Sequence, residues 1–260
     1  QTQKRKPTQT PNQHQTKKMN EYFIIVGANG DIGFEILKSL NEENHNIIAT
    51  YNNTKPNIKD FKFPEKIQIE KLDLSSNKSI IDFIKRVKDQ KVTVKSIVIA
   101  AGKEHGGLIS NTNMEDIKNI YEINVFGPFE LIKGFSRIFK KNNKSSIVFI
   151  SSITSKIPYI GSGIYGSSKL AFNYILKVYG KELSRRDVRI NIVNPGLVKT
   201  KMLQKMDINS QEKFLESSNI KRASTTAELA NLIYFLISDK SYYLQNQEID
   251  FTAGMNFIKN

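Results

Sequence analysis

From Tyr22 onward, short runs of apolar residues alternate with stretches in which apolar residues recur every three or four positions. Tyr22–Val26, Asn46–Thr50, Ile67–Leu72, Ser96–Ala100, Ser145–Ile150, Val188–Val193 and Glu248–Phe251 have strand length and are mostly rich in Ile and Val. A run that is apolar throughout, rather than alternating, marks a strand buried on both faces. Between the runs, Asp31–Leu40, Lys78–Lys88, Met114–Phe139, Tyr165–Leu183 and Ala227–Ser238 read as helices, and Ile80, Ile84 and Val87 recur at helical spacing in the second. Strand–helix alternation predicts the α/β class: a doubly wound, seven-stranded, mostly parallel sheet with helices on both faces. Such a sheet binds its ligand at the carboxyl ends of its strands, so chemistry is sought just after each run.

Residues 1–18 are dominated by Gln, Thr, Lys and Pro, with no aliphatic residue to bury. They read as a disordered basic tail or an appended extension, since Met19 directly before the first apolar run resembles a native start. Residues 19–260 then form a single domain. With 39% hydrophobic and 25% charged residues in 260, the chain can bury a sizeable core, which excludes wholesale disorder. There is no Cys, which removes disulfide scaffolds, thiolate metal sites and cysteine nucleophiles together. No apolar run approaches the roughly 20 residues needed to span a bilayer, so no membrane partner is expected and the location is read as cytoplasmic.

The formal charge of +14 raises nucleic acid as a partner. The basic residues are scattered, as in Lys85, Lys88 and Lys91, Trp is absent, and no basic–aromatic stripe offers a stacking platform. A solvated lysine-rich surface is the better reading.

The first strand runs into Gly27-Ala28-Asn29-Gly30-Asp31-Ile32-Gly33 and then a helix. Glycines there permit a tight turn and let a pyrophosphate reach the amides of a helix N-terminus, which points to a dinucleotide. Asp73, in Leu72-Asp73-Leu74, is placed to accept from an adenine amino group or to cap the following helix. Ala100-Ala101-Gly102 ends the fourth strand with residues small enough for a ribose or adenine to lie on the backbone, or for close helix–sheet packing. After the second strand come Tyr51, Asn52, Asn53, Thr54 and Lys55. A carboxylate there would grip a ribose 2′-hydroxyl; its absence tilts the choice to NADP(H) over NAD(H), with Lys55 either a phosphate partner or a solvated lysine.

Tyr165 and Lys169, one helical turn apart, share a face. A free phenol titrates near pH 10. A nearby ammonium, with a cationic nicotinamide, would stabilise the phenolate and lower that value. Ser152 after the fifth strand and Asn124 in the preceding helix complete a set.

With these motifs and Asn194-Pro195-Gly196-Leu197-Val198-Lys199-Thr200, the chain resembles the short-chain dehydrogenase/reductase family over residues 20–260, in its shorter single-domain branch. The resemblance implies that Tyr165 donates the proton in carbonyl reduction and Ser152 hydrogen-bonds the substrate oxygen. It makes Lys169 the holder of the nicotinamide ribose and the tuner of Tyr165, and Asn124 the support of a water relay. Pro195, Gly196, Val198 and Thr200 would line the nicotinamide end. Within the family the nearest likeness is to 3-oxoacyl-carrier-protein reductases, so the substrate would be a small-molecule or acyl-carrier-bound carbonyl. Reduction of a sugar or secondary-metabolite ketone is the runner-up, and a non-catalytic dinucleotide sensor comes behind it. A homo-oligomer, dimer or tetramer, would form through the helices at Met114–Phe139 and Tyr165–Leu183. Two departures stand out: Val26 replaces the turn's usual Thr, and Asp31 its usual middle glycine. No metal site is expected, since Glu104 and His105 supply too few ligands, and His105 reads as an ordinary loop histidine. Lys201–Arg222 reads as a substrate lid or a packed helix.

Overall fold

The computed structural model describes residues 21–139 and 144–255; the proposed tail at 1–18 lies outside the described residues. The strands are β1 (Glu21–Val26), β2 (Asn46–Tyr51), β3 (Ile67–Lys71), β4 (Thr93–Ile99), β5 (Ser145–Ile150), β6 (Val188–Pro195) and β7 (Glu248–Phe251). They form one sheet in the order β3-β2-β1-β4-β5-β6-β7, and every neighbouring pair is parallel. All seven expected strands are present. β4 starts earlier than the apolar run because Thr93 and Val94 pair with Glu21 and Tyr22 before the register shifts.

Alternate residues of each strand feed opposite faces. Ile24, Ile97, Ile99, Ile147 and Phe149 pack with α2 (Asn77–Asp89), α4 (Gly127–Ser136) and α5 (Gly163–Leu183) through Phe83, Phe135, Phe172 and Leu176. Phe23, Ile25, Val98 and Val148 meet α1 (Asp31–Glu42) and α8 (Thr226–Ile237) through Ile36, Leu37, Leu40, Ile233 and Leu236. Burial on both faces is why the central strands read as mostly apolar runs, while the edge strands β3 and β7 carry charged residues. Arg189 of β6, itself buried, donates to the carbonyls of Leu236, Ser238, Ser241 and Leu244 and so satisfies the C-terminal end of α8.

The single helix expected over Met114–Phe139 is instead broken. α3 (Met114–Tyr121) passes through a π-helical turn at Glu122–Phe126 into α4. Pro128 has no N–H with which to continue the ladder, so the backbone takes up an extra residue just before it. The turn carries Asn124 and Val125 into the interior. Gly127 lets α4 press on the loop after β3: a Cβ there would lie 2.0 Å from the carbonyl oxygen of Leu74.

Between β6 and α8 lie α6 (Lys201–Gln204) and α7 (Ile208–Ser217). The segment expected as a lid or one packed helix is thus two short helices. Its ends meet: Val198 bridges Ser224, with Lys199 N–H donating to Ser224 O at 2.8 Å and Ser224 N–H to Leu197 O at 3.0 Å.

Gly127→Ala should gain about 1 kcal/mol of helix propensity but lose more to the clash with Leu74, for a net destabilisation of about 2 kcal/mol. Urea unfolding of the two proteins measures this directly.

Candidate active site

The turn after β1 is tied on both sides. Ala28 N–H donates to Thr50 O at 2.8 Å, while Ala100 and Ala101 N–H both donate to Val26 O at 2.9 Å. Gly27 has φ +85°, and a Cβ there would lie 2.8 Å from Ala101; Gly33 sits on the turn so closely that its Cβ would be 2.2 Å from Gly27 O. Only glycine meets both demands. The first bond of α1 runs from Phe34 N–H to Gly30 O at 2.7 Å, so the amides of Asp31, Ile32 and Gly33 precede the ladder. A Cβ at Gly30 would meet nothing nearer than Gly27 O at 3.5 Å, so the backbone there is open to a close approach. This arrangement fits the diphosphate of a dinucleotide.

The other expected cofactor contacts divide. Asn29, Asn52 and Asn53 are exposed, and Tyr51 ends β2 with Lys55 Nζ 5.8 Å from its ring centre. No carboxylate stands in that stretch. Asp73 Oδ1 accepts from Ser75 N–H at 2.9 Å and from Ser75 Oγ at 2.7 Å, while the helix cap itself is Ser76. Leu74 is buried and packs against Gly127. Asp31 is engaged elsewhere: its Oδ2 accepts from Lys201 N–H at 2.6 Å.

The catalytic candidates converge where α5 meets the segment after β5. Gly166 allows this, because a Cβ there would lie 2.5 Å from Thr154 O in the 3-10 turn Ile153–Ser155. Ser152 and the half-buried Tyr165 thereby reach one cavity of about 520 Å³, together with Lys169, Ala100, Gly102, Ile32, Pro195, Gly196, Val198 and Thr200. Ser152 Oγ accepts from Thr154 N–H at 3.2 Å and from Thr154 Oγ1 at 2.9 Å, which leaves its own proton for a ligand or for Tyr165.

Lys169 is only 3% exposed. Its Nζ donates to Ile150 O at 3.0 Å and lies 4.6 Å from the Phe149 ring centre and 5.7 Å from that of Tyr165. Gly102 gives it room, for a Cβ there would sit 3.0 Å from Lys169 Nζ and 3.4 Å from Asn124 Oδ1. Asn124 is clamped: Oδ1 accepts from Lys103 N–H at 2.7 Å, and Nδ2 donates to Lys103 O at 2.9 Å and to Ser168 Oγ at 3.0 Å. Thr154 and Ser168, which orient two of the four candidates, were not singled out from the sequence. Their one signal is position, two residues after Ser152 and one before Lys169.

The expectation of a lowered phenol pKa counts on a cationic nicotinamide beside the ring as well as on Lys169; the protein groups alone act in the other direction. Burial pushes Tyr165 above the ordinary tyrosine value and the Glu104 carboxylate adds to the rise, with the hydroxyl of Ser152 pulling the other way. Burial also brings Lys169 down to about 7.

The outer wall of the cavity is apolar: Tyr159 and Phe214 have ring centres 4.7 Å apart, beside Met206. His105 lines the cavity too, but its Nε2 pairs with Thr112 Oγ1 at 3.0 Å, as suits a loop histidine. Among the described residues, no cluster of three or more His, Cys, Asp or Glu could hold a metal, and no helix is long and apolar enough to cross a membrane.

The profile of the short chain dehydrogenase family matches residues 21–211. A vibriobactin-specific 2,3-dihydro-2,3-dihydroxybenzoate dehydrogenase of Vibrio cholerae is 23% identical over 251 residues, covering 91% of this chain and 96% of its own. A 3-oxoacyl-(acyl-carrier-protein) reductase of Buchnera aphidicola is 27% identical over 234 residues, covering 89% and 96%. Among solved structures, ElxO with NADP bound has a TM-score of 0.80 at 22% identity, covering 91% of this chain and 99% of its own, a likeness of fold. The chain belongs to the short-chain dehydrogenase family. It is an oxidoreductase of that family, similar in sequence to reductases of acyl-carrier-bound 3-oxoacyl groups.

Because Lys169 holds a proton less readily in the folded state than in the unfolded chain, protein stability should rise as pH increases from about 7 toward 10, where only the unfolded state still binds that proton. Melting temperatures between pH 7 and 9.5 should therefore climb for the parent more steeply than for Lys169→Met. Identical slopes would contradict the shift.

Proposed function

We propose that the protein is an NADP(H)-preferring carbonyl reductase in which Tyr165 is the proton donor, with Ser152, Lys169 and Asn124 around it. The observation that carries this reading is the meeting of Ser152, Tyr165 and Lys169 in one cavity that also touches Ile32 of the glycine turn. A nicotinamide dinucleotide bound along the strand ends supplies the hydride for the carbonyl carbon. Ser152 Oγ holds the substrate oxygen, and the phenol of Tyr165, kept protonated by its surroundings, delivers the proton that the oxygen needs. Lys169, titrating near 7, can pass a proton on to Tyr165, and clamped Asn124 keeps Lys103 and Gly102 from closing over the amine.

Gly27, Gly30, Ile32 and Gly33 would hold the diphosphate, Ala100 to Gly102 the ribose side, and Pro195, Gly196, Val198 and Thr200 the nicotinamide end. The NADP(H) preference rests on a β2 end without a carboxylate but with Lys55 beside Tyr51. The apolar wall of Tyr159, Met206 and Phe214 favours an acyl chain, as in a carrier-bound 3-oxoacyl substrate. The carboxylate of Glu104 on the same cavity favours a small polar ketone as second reading. Leu170, Tyr174 and Val178 are exposed at successive turns of α5, and Phe126 is exposed on the π-helical turn, which supports a homodimer or homotetramer.

Tyr165→Phe keeps the ring and deletes the proton, so kcat should fall by about 10²–10⁴ while the NADPH dissociation constant moves little. Steady-state rates with any ketone reduced by the parent decide this; turnover within about threefold of the parent would defeat the mechanism.

NADPH should bind several-fold more tightly than NADH, and Asn52→Asp should flatten or reverse that order by repelling the 2′-phosphate. Fluorescence titrations of both proteins with both nucleotides give the answer, equal affinities in the parent being the adverse result.

A further inference from the structure

We propose that Asp31 is a latch: its carboxylate fastens the lid formed by α6 and α7 to the glycine turn, and a bound diphosphate has to displace it. The second half rests on the dinucleotide reading above. Asp31 is the first residue of α1, where the family resemblance leads one to expect glycine, and its Oδ2 accepts from Lys201 N–H at 2.6 Å across a separation of 170 residues. Lys201 opens α6, whose cap is Thr200, so the carboxylate sits at the start of two helices at once. Among the described residues the other hydrogen bonds that leave residues 201–218 reach only their close chain neighbours, from Leu203 and Gln204 N–H to Thr200 and from Lys221 Nζ to Glu216 O, so Asp31 supplies the one that crosses to a distant element. The other attachments are apolar, chiefly Phe214 and Met206 in a small cluster with Ile153, Ile157 and Tyr159. The bridge between Val198 and Ser224 closes the base of the segment and leaves its first turn held by Asp31.

The same carboxylate lies on the residue whose own amide, with those of Ile32 and Gly33, precedes the helical ladder. Those amides suit a diphosphate, and a third anion among them is repelled. An acid at the start of a helix also stabilises the helix by itself, but that role would do nothing for an amide in another element. The two roles therefore separate in variants. Asparagine at this position keeps a side-chain oxygen for Lys201 and loses the charge; glycine loses both.

The decisive measurement is hydrogen exchange of the Lys201 amide in the cofactor-free protein, with NADPH affinity measured alongside. In Asp31→Gly that amide should exchange at least about tenfold faster than in the parent, and in Asp31→Asn within about threefold of it, while amides of the sheet stay protected in all three. Both variants should bind NADPH about three- to tenfold more tightly than the parent, since each has lost the competing charge. An unchanged Lys201 amide in Asp31→Gly overturns the latch. NADPH affinity equal to or weaker than the parent's in both variants overturns the competition. Failure of all three proteins to bind NADPH would instead sink the dinucleotide reading, and the exchange data, taken without cofactor, would still decide whether Asp31 holds the lid.

Discussion

A lysine amine buried to 3% exposure is the constraint around which the centre of this molecule is built. Removing an ammonium from water is costly unless dipoles replace the water. The replacements here are the carbonyl of Ile150 at the end of β5 and the face of Phe149. Space for the amine exists because Gly102 has no side chain and because the π-helical turn swings Asn124 inward to hold Lys103. A straight helix through Glu122–Phe126 would direct Asn124 elsewhere, so a local irregularity in one element serves the burial of an amine in another.

The helix that carries Lys169 is fixed along its length by the same face. Tyr165, Lys169, Asn173 and Lys177 follow one another at intervals of one turn. The first two belong to the cavity. Asn173 Nδ2 reaches Ser155 Oγ at 3.1 Å and Glu248 Oε1 at 3.1 Å, and Lys177 pairs with the same Glu248. Glu248 and Asp250, on one side of β7, also bind Asn194 and Lys156, so the short edge strand is joined by charge to α5 and to the segment after Ser152. The orientation of Tyr165 toward Ser152 is thus set from both ends: by close packing of Gly166 on Thr154, and by a polar network two turns further on.

Much of this was legible in the chain before any fold was seen. Apolar runs announced the central strands, because a parallel sheet covered on both faces leaves little room for polar residues there, and the edge strands β3 and β7 showed as shorter runs mixed with charge. The glycine turn was equally readable, since Gly27 and Gly33 answer a backbone demand that no other residue meets. Features arising from contacts between distant segments were harder to read. Nothing in Met114–Phe139 except Pro128 marked the break, and its consequence depends on Leu74, some fifty residues away in the chain. The direction that the protein alone sets at Tyr165 was not readable either, because sequence shows a neighbouring lysine but neither the burial of these groups nor the Glu104 carboxylate beside them. Asp31 reads as a cofactor neighbour because it stands in the turn; that its carboxylate also meets Lys201 could not be foreseen, since the path of that segment is not written locally.

The closed base of the segment carrying α6 and α7 has a consequence for how such a protein can change over time. Because Leu197, Val198 and Lys199 meet Ser224 directly, everything between is an excursion that leaves and re-enters the domain at one place. Doubling the length of such an excursion adds only about 0.6 kcal/mol of closure entropy. The sheet, the glycine turn and α5 need not adjust to its contents. The insert can therefore be rewritten freely while the sheet and the residues gathered at its carboxyl edge are inherited unaltered.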